Sequence, residues 1–325
     1  MCTSIAMKWG GGYFGRNMDV EYSFGEQVAV TPRRYPLRFW RQPDQEEHFA
    51  LIGMAHVAGG RPLYAEAANE KGLYMAGLNF PGSAWYEPDP PEGCDAVAPY
   101  ELIPWVLGSC ATLAEAKARL ARFRPLGVPL AAGLPLAPLH WHIADRTGAL
   151  VLEATREGVR LYDDPVGVLT NNPPFPFHQL NLSQYQHLTA RPTENRLAPA
   201  LPLEAFGQGM GAIGLPGDAS PASRYVRAAF HKLNAPDPGG ELERVSDFFH
   251  LLDAVAMVRG SVLTPEGKWD MTTYACCFSA GAGTYYYKPH GNSRLSAVRL
   301  AGADLDSGEV QLFPLCQEQD VRMLN

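Results

Sequence analysis

Short runs of alternating apolar and polar residues, bounded by glycine and proline, dominate the chain. Such runs predict β-strands with one buried face, and helical spacing of apolar residues is confined to a few segments. Because strand pairs alternate with only a few grouped helices, the pattern predicts an α+β fold rather than a doubly wound parallel sheet. The predicted strands cover residues 2–8, 13–19, 27–31, 49–56, 72–79, 139–145, 149–154, 158–163, 274–278, 284–288 and 295–299. The predicted helices cover residues 101–107, 113–123 after a cap at Thr112, 223–233 and 241–258.

The first two predicted strands flank Gly10-Gly11-Gly12 and form a β-hairpin, because glycine adopts the positive φ that tight turns require. A two- or three-residue turn makes the numbers of facing residues sum to about 21 or 22. Asp19 would then lie opposite Cys2 or Thr3, on the same face of the sheet. A carboxylate there could hold an amine near Cys2, or Asp19 could simply end the strand.

Arg16 lies three residues before Asp19, and this odd spacing points the two side chains to opposite faces of a regular strand. Both reach one site only if the strand is irregular between them. We therefore predict a bulge or bend at residues 17–18.

Proline- and glycine-rich stretches at 81–93, 124–138, 165–177, 190–221 and 234–240 predict long surface loops. The chain shows no internal repeat, and we expect a single domain over residues 1–325. It also lacks a glycine-rich phosphate loop that opens a helix after a strand, so no nucleotide cofactor is expected.

Composition is that of an ordinary globular protein, with 46% hydrophobic and 19% charged residues. The 27 basic and 34 acidic residues give a net charge of −7, without basic runs, so nucleic acid is not an expected partner. No signal-like or membrane-spanning apolar segment is apparent, which predicts a cytoplasmic location and no membrane partner. The six cysteines show no CxxC spacing, in keeping with a reducing compartment.

The candidate chemistry begins at Cys2, directly after the initiator methionine. Removal of Met1 would give this cysteine a free α-amine. Such an amine is partly neutral at about pH 8 and can accept the thiol proton, so one residue can serve as nucleophile and base. His140 and His142 share one face of a predicted strand, but lack neighbouring ligands in the sequence, and no metal site is expected.

Five segments carry a recognisable family pattern: MCT at 1–3, YFGRNMD at 13–19, AGLNFPG at 76–82, LTNNP at 169–173 and GLPGD…SPASRY at 214–225. Together they resemble the choloylglycine hydrolase family, which groups conjugated bile salt hydrolases with penicillin V acylases. The resemblance continues through Leu-His-Trp at 139–141, Phe-Phe-His at 248–250 and Thr-Tyr-Tyr-Tyr at 284–287, so it covers nearly the whole chain in order.

The resemblance implies an N-terminal nucleophile hydrolase with a four-layer αββα sandwich of two antiparallel sheets. It also implies catalytic roles for six residues. Cys2 would be nucleophile and base, Asp19 would bind the α-amine, and Arg16 would lie near the thiolate. The Asn171 side chain and the Asn79 main chain would donate to the oxyanion, and Arg224 would complete the polar network.

Within this family, asparagine at position 79 resembles the bile salt hydrolase branch, whereas the penicillin V acylases tend to carry tyrosine. We therefore expect hydrolysis of glycine- or taurine-conjugated bile salts, without a cofactor, by a homotetramer from a gut bacterium. Penicillin V and N-acyl homoserine lactones are alternative substrates, and a non-catalytic bile-acid-binding protein is the alternative if Met1 is retained. The expected substrate-binding residues are Val20, Tyr22, Phe24, Leu130, Leu134 and Leu136.

Overall fold

Two antiparallel β-sheets packed face to face form the centre of the protein, in a computed structural model that describes residues 1–131 and 135–325. Strands and helices are numbered in chain order. The first sheet runs in the order β12 (Val168–Leu169), β1 (Cys2–Met7), β2 (Tyr13–Val20), β14 (Trp269–Ser279), β15 (Thr284–Pro289) and β16 (Ser296–Arg299), and β13 (Val262–Leu263) pairs with β14. The second sheet runs in the order β11 (Gly158–Asp163), β10 (Gly148–Thr155), β9 (Leu139–Asp145), β6 (Tyr74–Asn79), β5 (Arg61–Asn69), β4 (Leu51–Ala58), β3 (Gln27–Thr31) and β17 (Gln311–Pro314). A separate parallel pair joins β7 (Asp95–Val97) to β8 (Phe123–Pro125).

Helices cover the outer face of each sheet. The second sheet carries α1 (Leu102–Leu107) and α2 (Leu113–Leu120). The first sheet carries α4 (Pro221–Asn234) and α5 (Glu241–Asp253), and α3 (Phe175–Leu182) packs against α4. The layers are therefore helix, sheet, sheet, helix, which confirms the expected αββα fold class.

The predicted first residues of the helices agree with the structure more closely than the predicted last residues do. The Thr112 hydroxyl accepts a hydrogen bond from the Glu115 main chain at 3.2 Å, so the predicted cap is confirmed. The helices predicted at 113–123 and 241–258 end earlier, at Leu120 and Asp253. In the first case the chain leaves the helix to form β8, whose pairing with β7 is a contact between distant segments.

The first hairpin forms, but its predicted register is wrong. Gly10 and Gly12 adopt φ of +51° and +104°, as a glycine turn requires. The connection is longer than two or three residues, because Met7 is already paired with Tyr13. Cys2 therefore lies opposite Met18, and Asp19 lies beyond Cys2 rather than opposite Cys2 or Thr3.

The predicted irregularity at 17–18 is also wrong, because β2 pairs with β1 without interruption up to Met18. The extra residue is in the neighbouring strand β14, where Thr272 pairs with Asp19 and Tyr274 pairs with Met18. Thr273 is the bulged residue. Strand β2 thus carries Arg16 and Asp19 to opposite faces of the first sheet.

The hydrophobic core has two parts. One fills the space between the sheets and beneath α4 and α5, and the other lies between the second sheet and α1 and α2. Trp141 of β9 is fully buried in the outer part, while its neighbours His140 and His142 point the other way, into the space between the sheets. In the ranges that the structure covers, no helix has the length and apolarity needed to cross a bilayer.

Candidate active site

The main chain of Cys2 is held by side chains rather than by the neighbouring strand. Met1 and Asp19 exchange main-chain hydrogen bonds, and the Asp19 N–H donates to the Met1 carbonyl at 2.9 Å. In an antiparallel ladder the next pair, Cys2 and Met18, is then a non-hydrogen-bonded pair. The N–H and C=O groups of Cys2 therefore face away from β2 and need other partners.

Asn171, just after β12, accepts the Cys2 N–H on its Oδ1 atom at 2.9 Å. The same Oδ1 accepts from Nη2 of Arg224 at 2.7 Å, while Nδ2 donates to the Asn79 carbonyl at 2.6 Å. Two donors on one side and a carbonyl on the other fix the orientation of the amide. Because an amide nitrogen carries two hydrogens, Asn171 keeps a second N–H for another acceptor.

Arg224 comes from α4 and is fully buried beneath it. Its Nη1 atom donates to the Cys2 carbonyl at 2.5 Å and to the Thr3 hydroxyl at 2.6 Å. Burial lowers the pKa of Arg224, and electrostatic interaction with the Asp19 carboxylate, and after it with Cys2, opposes that effect. One guanidinium thus supports both the main chain of Cys2 and the Asn171 amide.

Asp19 lies on the helix-facing side of the first sheet, fully buried. Its Oδ1 atom accepts from the Thr272 hydroxyl at 2.6 Å, whereas Oδ2 has no hydrogen-bond partner among the described residues. Burial raises the pKa of Asp19, and the charges of Arg224 and of the α-amine oppose the rise. The Asp19 carboxylate therefore keeps one acceptor atom for a further donor close to the amino terminus.

Arg16 lies on the opposite side, in the space between the sheets. Cys2 faces Met18, and Arg16 is two residues from Met18, so the three side chains share that face. The Arg16 Nη1 atom donates to the Gly77 carbonyl of β6 at 2.6 Å and lies 3.6 Å from Oε2 of Glu66. Burial alone would lower the pKa of Arg16, but electrostatic interaction with nearby acidic groups, Cys2 first and then Tyr274 and Glu66, raises it above its ordinary value.

The structure thus joins four of the predicted catalytic residues, Cys2, Asn79, Asn171 and Arg224, in one hydrogen-bonded network. Arg16 and Asp19 approach the same chain end from the two faces of the sheet, so the expectation that only an irregular strand could bring both there is wrong. Sequence reasoning missed Glu66, an isolated charge in the apolar run LYAEAA of the unpredicted strand β5. That isolated charge was the available signal, because a lone buried carboxylate needs a partner.

The expected substrate-binding residues take different positions. Val20 and Phe24 pack at the edge of the core between the sheets. Tyr22 is 57% exposed, and Leu130 and Leu136 are half-buried in their loop. Leu134 lies outside the described residues, and contact of any of the six with substrate stays a prediction.

His140 and His142 both have protein partners between the sheets. His140 contacts Glu153 at 3.1 Å and the Thr170 carbonyl at 3.0 Å, and His142 contacts the Ser4 hydroxyl at 2.9 Å. Both nitrogens of His140 are therefore hydrogen-bonded within the fold, whereas His142 is bonded through Nδ1 and has its Nε2 atom 3.3 Å from Oδ2 of Asp164.

Comparison with known proteins identifies relatives over the full length of the chain. The family model described as linear amide C–N hydrolases, choloylglycine hydrolase family, matches residues 2–313. The chain is 40% identical over 325 residues to the bile salt hydrolase/transferase of Lactiplantibacillus plantarum, covering 100% of both proteins. It is similar in structure to the mutant C2A conjugated bile acid hydrolase of Clostridium perfringens, with a TM-score of 0.92, 36% identity and 100% coverage of both chains.

A more distant structural relative shares the fold alone. The penicillin V acylase of Agrobacterium tumefaciens superimposes with a TM-score of 0.75 at 18% identity, over 96% of this chain and 91% of that one.

Proposed function

This chain belongs to the choloylglycine hydrolase family of linear amide C–N hydrolases, and we propose that it cleaves the amide bond of glycine- or taurine-conjugated bile salts. The proposal rests on the relatives at 40% and 36% identity, whose names specify bile salt or conjugated bile acid hydrolase. Asparagine at position 79 agrees with this choice of substrate.

The proposed nucleophile is Cys2 after removal of Met1. Its free α-amine accepts the thiol proton, and the sulfur attacks the amide carbon of the substrate. The amine product leaves with a proton from the α-ammonium group, and the acyl group stays on sulfur as a thioester. Water, deprotonated by the same α-amine, then hydrolyses the thioester to the free bile acid and restores the thiol.

The observation that carries this proposal is the hydrogen bond from the Cys2 nitrogen to Oδ1 of Asn171. This nitrogen would become the base, and it is already held outside the strand ladder by a buried side-chain network. The Oδ2 atom of Asp19, which has no partner in the part of the chain that the structure describes, supplies an acceptor for the additional hydrogens that a free amine carries.

The same network supports the proposed oxyanion site. The second N–H of the Asn171 side chain and the main-chain N–H of Asn79 would donate to the oxygen that becomes negative during attack. Donors aimed at this position each contribute about 3–4 kcal/mol to the transition state in related chemistry. Arg224 would hold Asn171 in place for this purpose, through the 2.7 Å bond to its Oδ1 atom.

The experiment compares the wild-type protein with Cys2→Ala and Cys2→Ser on glycocholate and taurocholate, with intact-mass measurement of each protein. We expect loss of one methionine, no hydrolysis by Cys2→Ala and almost none by Cys2→Ser. The control is Cys110→Ala, which changes another buried cysteine in the outer core and should remain active. Full activity of Cys2→Ala, or of a protein that retains Met1, would refute the nucleophile assignment.

Penicillin V is the second substrate to assay, because a penicillin V acylase shares the fold. A hundredfold preference for penicillin V over both conjugated bile salts would overturn the substrate assignment. N-acyl homoserine lactones should be assayed in parallel, and the homotetramer and cytoplasmic location stay predictions.

A further inference from the structure

Glu66 is a fully buried carboxylate that the proposed reaction does not use. It projects from β5 of the second sheet, and its partners come from the first sheet. Oε1 accepts from the Tyr285 hydroxyl at 2.6 Å, and Oε2 accepts from the Tyr274 hydroxyl at 2.9 Å. The Cys276 sulfur lies 3.6 Å from Oε1, and Arg16 Nη1 lies 3.6 Å from Oε2.

This arrangement is costly, because both members of the ion pair are fully removed from water. The effective penalty is still several kcal/mol for each buried ion, and a well-packed apolar pair often stabilises a protein as well or better. The stability of the fold therefore does not explain why residue 66 carries a carboxylate. Burial raises its pKa, while Arg16 and the two tyrosine hydroxyls favour the charged form.

Arg16 is the group whose position Glu66 constrains. In the part of the chain that the structure describes, Glu66 is the only carboxylate within 4 Å of the Arg16 guanidinium. The other bonds of Arg16 are a 2.6 Å contact to the Gly77 carbonyl and longer contacts to main-chain oxygens and to Met18. The Glu66 contact is an ion pair rather than a hydrogen bond, so Glu66 holds Arg16 by the attraction of opposite charges at a fully buried position, while the Gly77 carbonyl holds it by a hydrogen bond.

We propose that Glu66 is a positioning residue that holds Arg16 between the two sheets, so that the guanidinium charge stays beside the Cys2 sulfur. Tyr274 and Tyr285 in turn hold the carboxylate. The inference rests on the proposed function, in which the Cys2 thiolate attacks the substrate.

The test is the pH profile of alkylation at Cys2 by iodoacetamide, followed by mass spectrometry of the amino-terminal peptide, in wild type and Glu66→Gln. If Glu66 anchors Arg16, its loss lets the guanidinium move away, and alkylation should require a higher pH. We expect alkylation at neutral pH to slow by about tenfold, and kcat to fall by a similar factor with KM nearly unchanged.

Two other outcomes would overturn the proposal. A shift to lower pH would mean that Arg16 stays in place and that Glu66 acts only by its own negative charge. An unchanged profile with a lower melting temperature would mean that Glu66 serves the fold alone. Several other ionisable groups stay unchanged in both proteins. Asp19 and Arg224 approach the amino terminus from the helix side, and those on the Arg16 side of the first sheet are Tyr74, His142, Tyr274, Cys276 and Tyr285.

Glu101→Gln is the matched control. Glu101 is also a buried carboxylate bound to an arginine, with Arg61 Nη2 at 3.1 Å, but it lies at the start of α1 on the outer side of the second sheet. This variant should lose stability and keep the wild-type alkylation profile. In an Arg16→Met background, Glu66→Gln should cause no further shift, because the group that it positions is gone.

Alkylation of Cys2 does not require turnover, so the test remains readable in an inactive variant. If Cys2→Ala keeps full hydrolysis, the proposed function fails while the alkylation result still reports on Glu66. If Cys2→Ala is inactive and Glu66→Gln leaves the profile unchanged, only the positioning role fails.

Discussion

Replacement of Arg224 by methionine tests the buried network around Cys2 most directly. The substitution keeps most of the side-chain volume and removes all the donors. The Cys2 carbonyl and the Thr3 hydroxyl lose the bonds of 2.5 and 2.6 Å, and Asn171 Oδ1 keeps only the Cys2 N–H. Two buried groups are then left without this donor, at about 1–3 kcal/mol each.

Electrostatics adds to that loss. The Asp19 carboxylate is fully buried. The positive charge of Arg224 favours its charged form more than any other nearby group does. Removing one charge of a buried, mutually stabilised set costs about 3–5 kcal/mol, but Asp19 can limit this cost by taking up a proton. Because methionine restores some packing, we expect a net loss of about 4 kcal/mol in the free energy of unfolding.

The assay is urea unfolding followed by tryptophan fluorescence, at one fixed protein concentration. Arg227→Met is the matched control, since Arg227 lies on the same helix and donates to the carbonyls of Ala254, Pro216 and Asp218. Arg227 is only partly buried, so water can replace these bonds, and the expected loss is about 1 kcal/mol. Equal losses in the two variants, or less than about 1 kcal/mol for Arg224→Met, would refute the reasoning.

Three further substitutions have defined outcomes. Gly15→Ala would place a Cβ atom 1.9 Å from the Cys276 carbonyl oxygen, so β2 and β14 must separate, and the free energy of unfolding should fall by about 3 kcal/mol in urea titrations. Thr272→Val removes a hydrogen bond that lowers the pKa of Asp19, so this already raised pKa should rise further and the acid limb of kcat/KM should move to higher pH. Asp218→Asn removes a carboxylate whose pKa is lowered from 3.8 to about 2 by hydrogen bonds from two serines. That carboxylate stabilises the fold above pH 3.8, and its effect is lost as the pH falls through 2. The variant should therefore have a lower free energy of unfolding than wild type at neutral pH and match it in stronger acid. Because the group is exposed, the expected difference is at most about 1 kcal/mol.

The first two of these substitutions have a control in the chain. Gly302→Ala adds a Cβ atom to open space and should be nearly neutral. Thr273→Val removes a hydroxyl that donates to the Met18 carbonyl, so it should leave the acid limb in place. An unshifted acid limb in Thr272→Val, or a stability difference for Asp218→Asn that does not shrink between neutral pH and pH 2, would contradict the corresponding argument.

The sequence determined the features that depend on neighbouring residues. Alternation located most strands of the two sheets, and the glycines at 10–12 identified the first hairpin. The Thr112 cap and the apolar spacing of α4 and α5 identified helices, because capping and amphipathicity are local properties. The αββα architecture and the six catalytic candidates came from resemblance to a family, which carries information about distant contacts that local patterns lack.

The tertiary structure alone decided how these pieces meet. The register of the first hairpin depended on the length of its connection, which the glycines at 10–12 did not reveal. The bulge lies in β14 rather than in β2, and it arises where these two strands, far apart in sequence, pair with each other. The position of Glu66 could not be foreseen, since burial of that charge depends on Arg16, Tyr274 and Tyr285 from the opposite sheet. Local pattern therefore indicated which segments form strands and helices, while only packing between sheets determined which buried charges lie together.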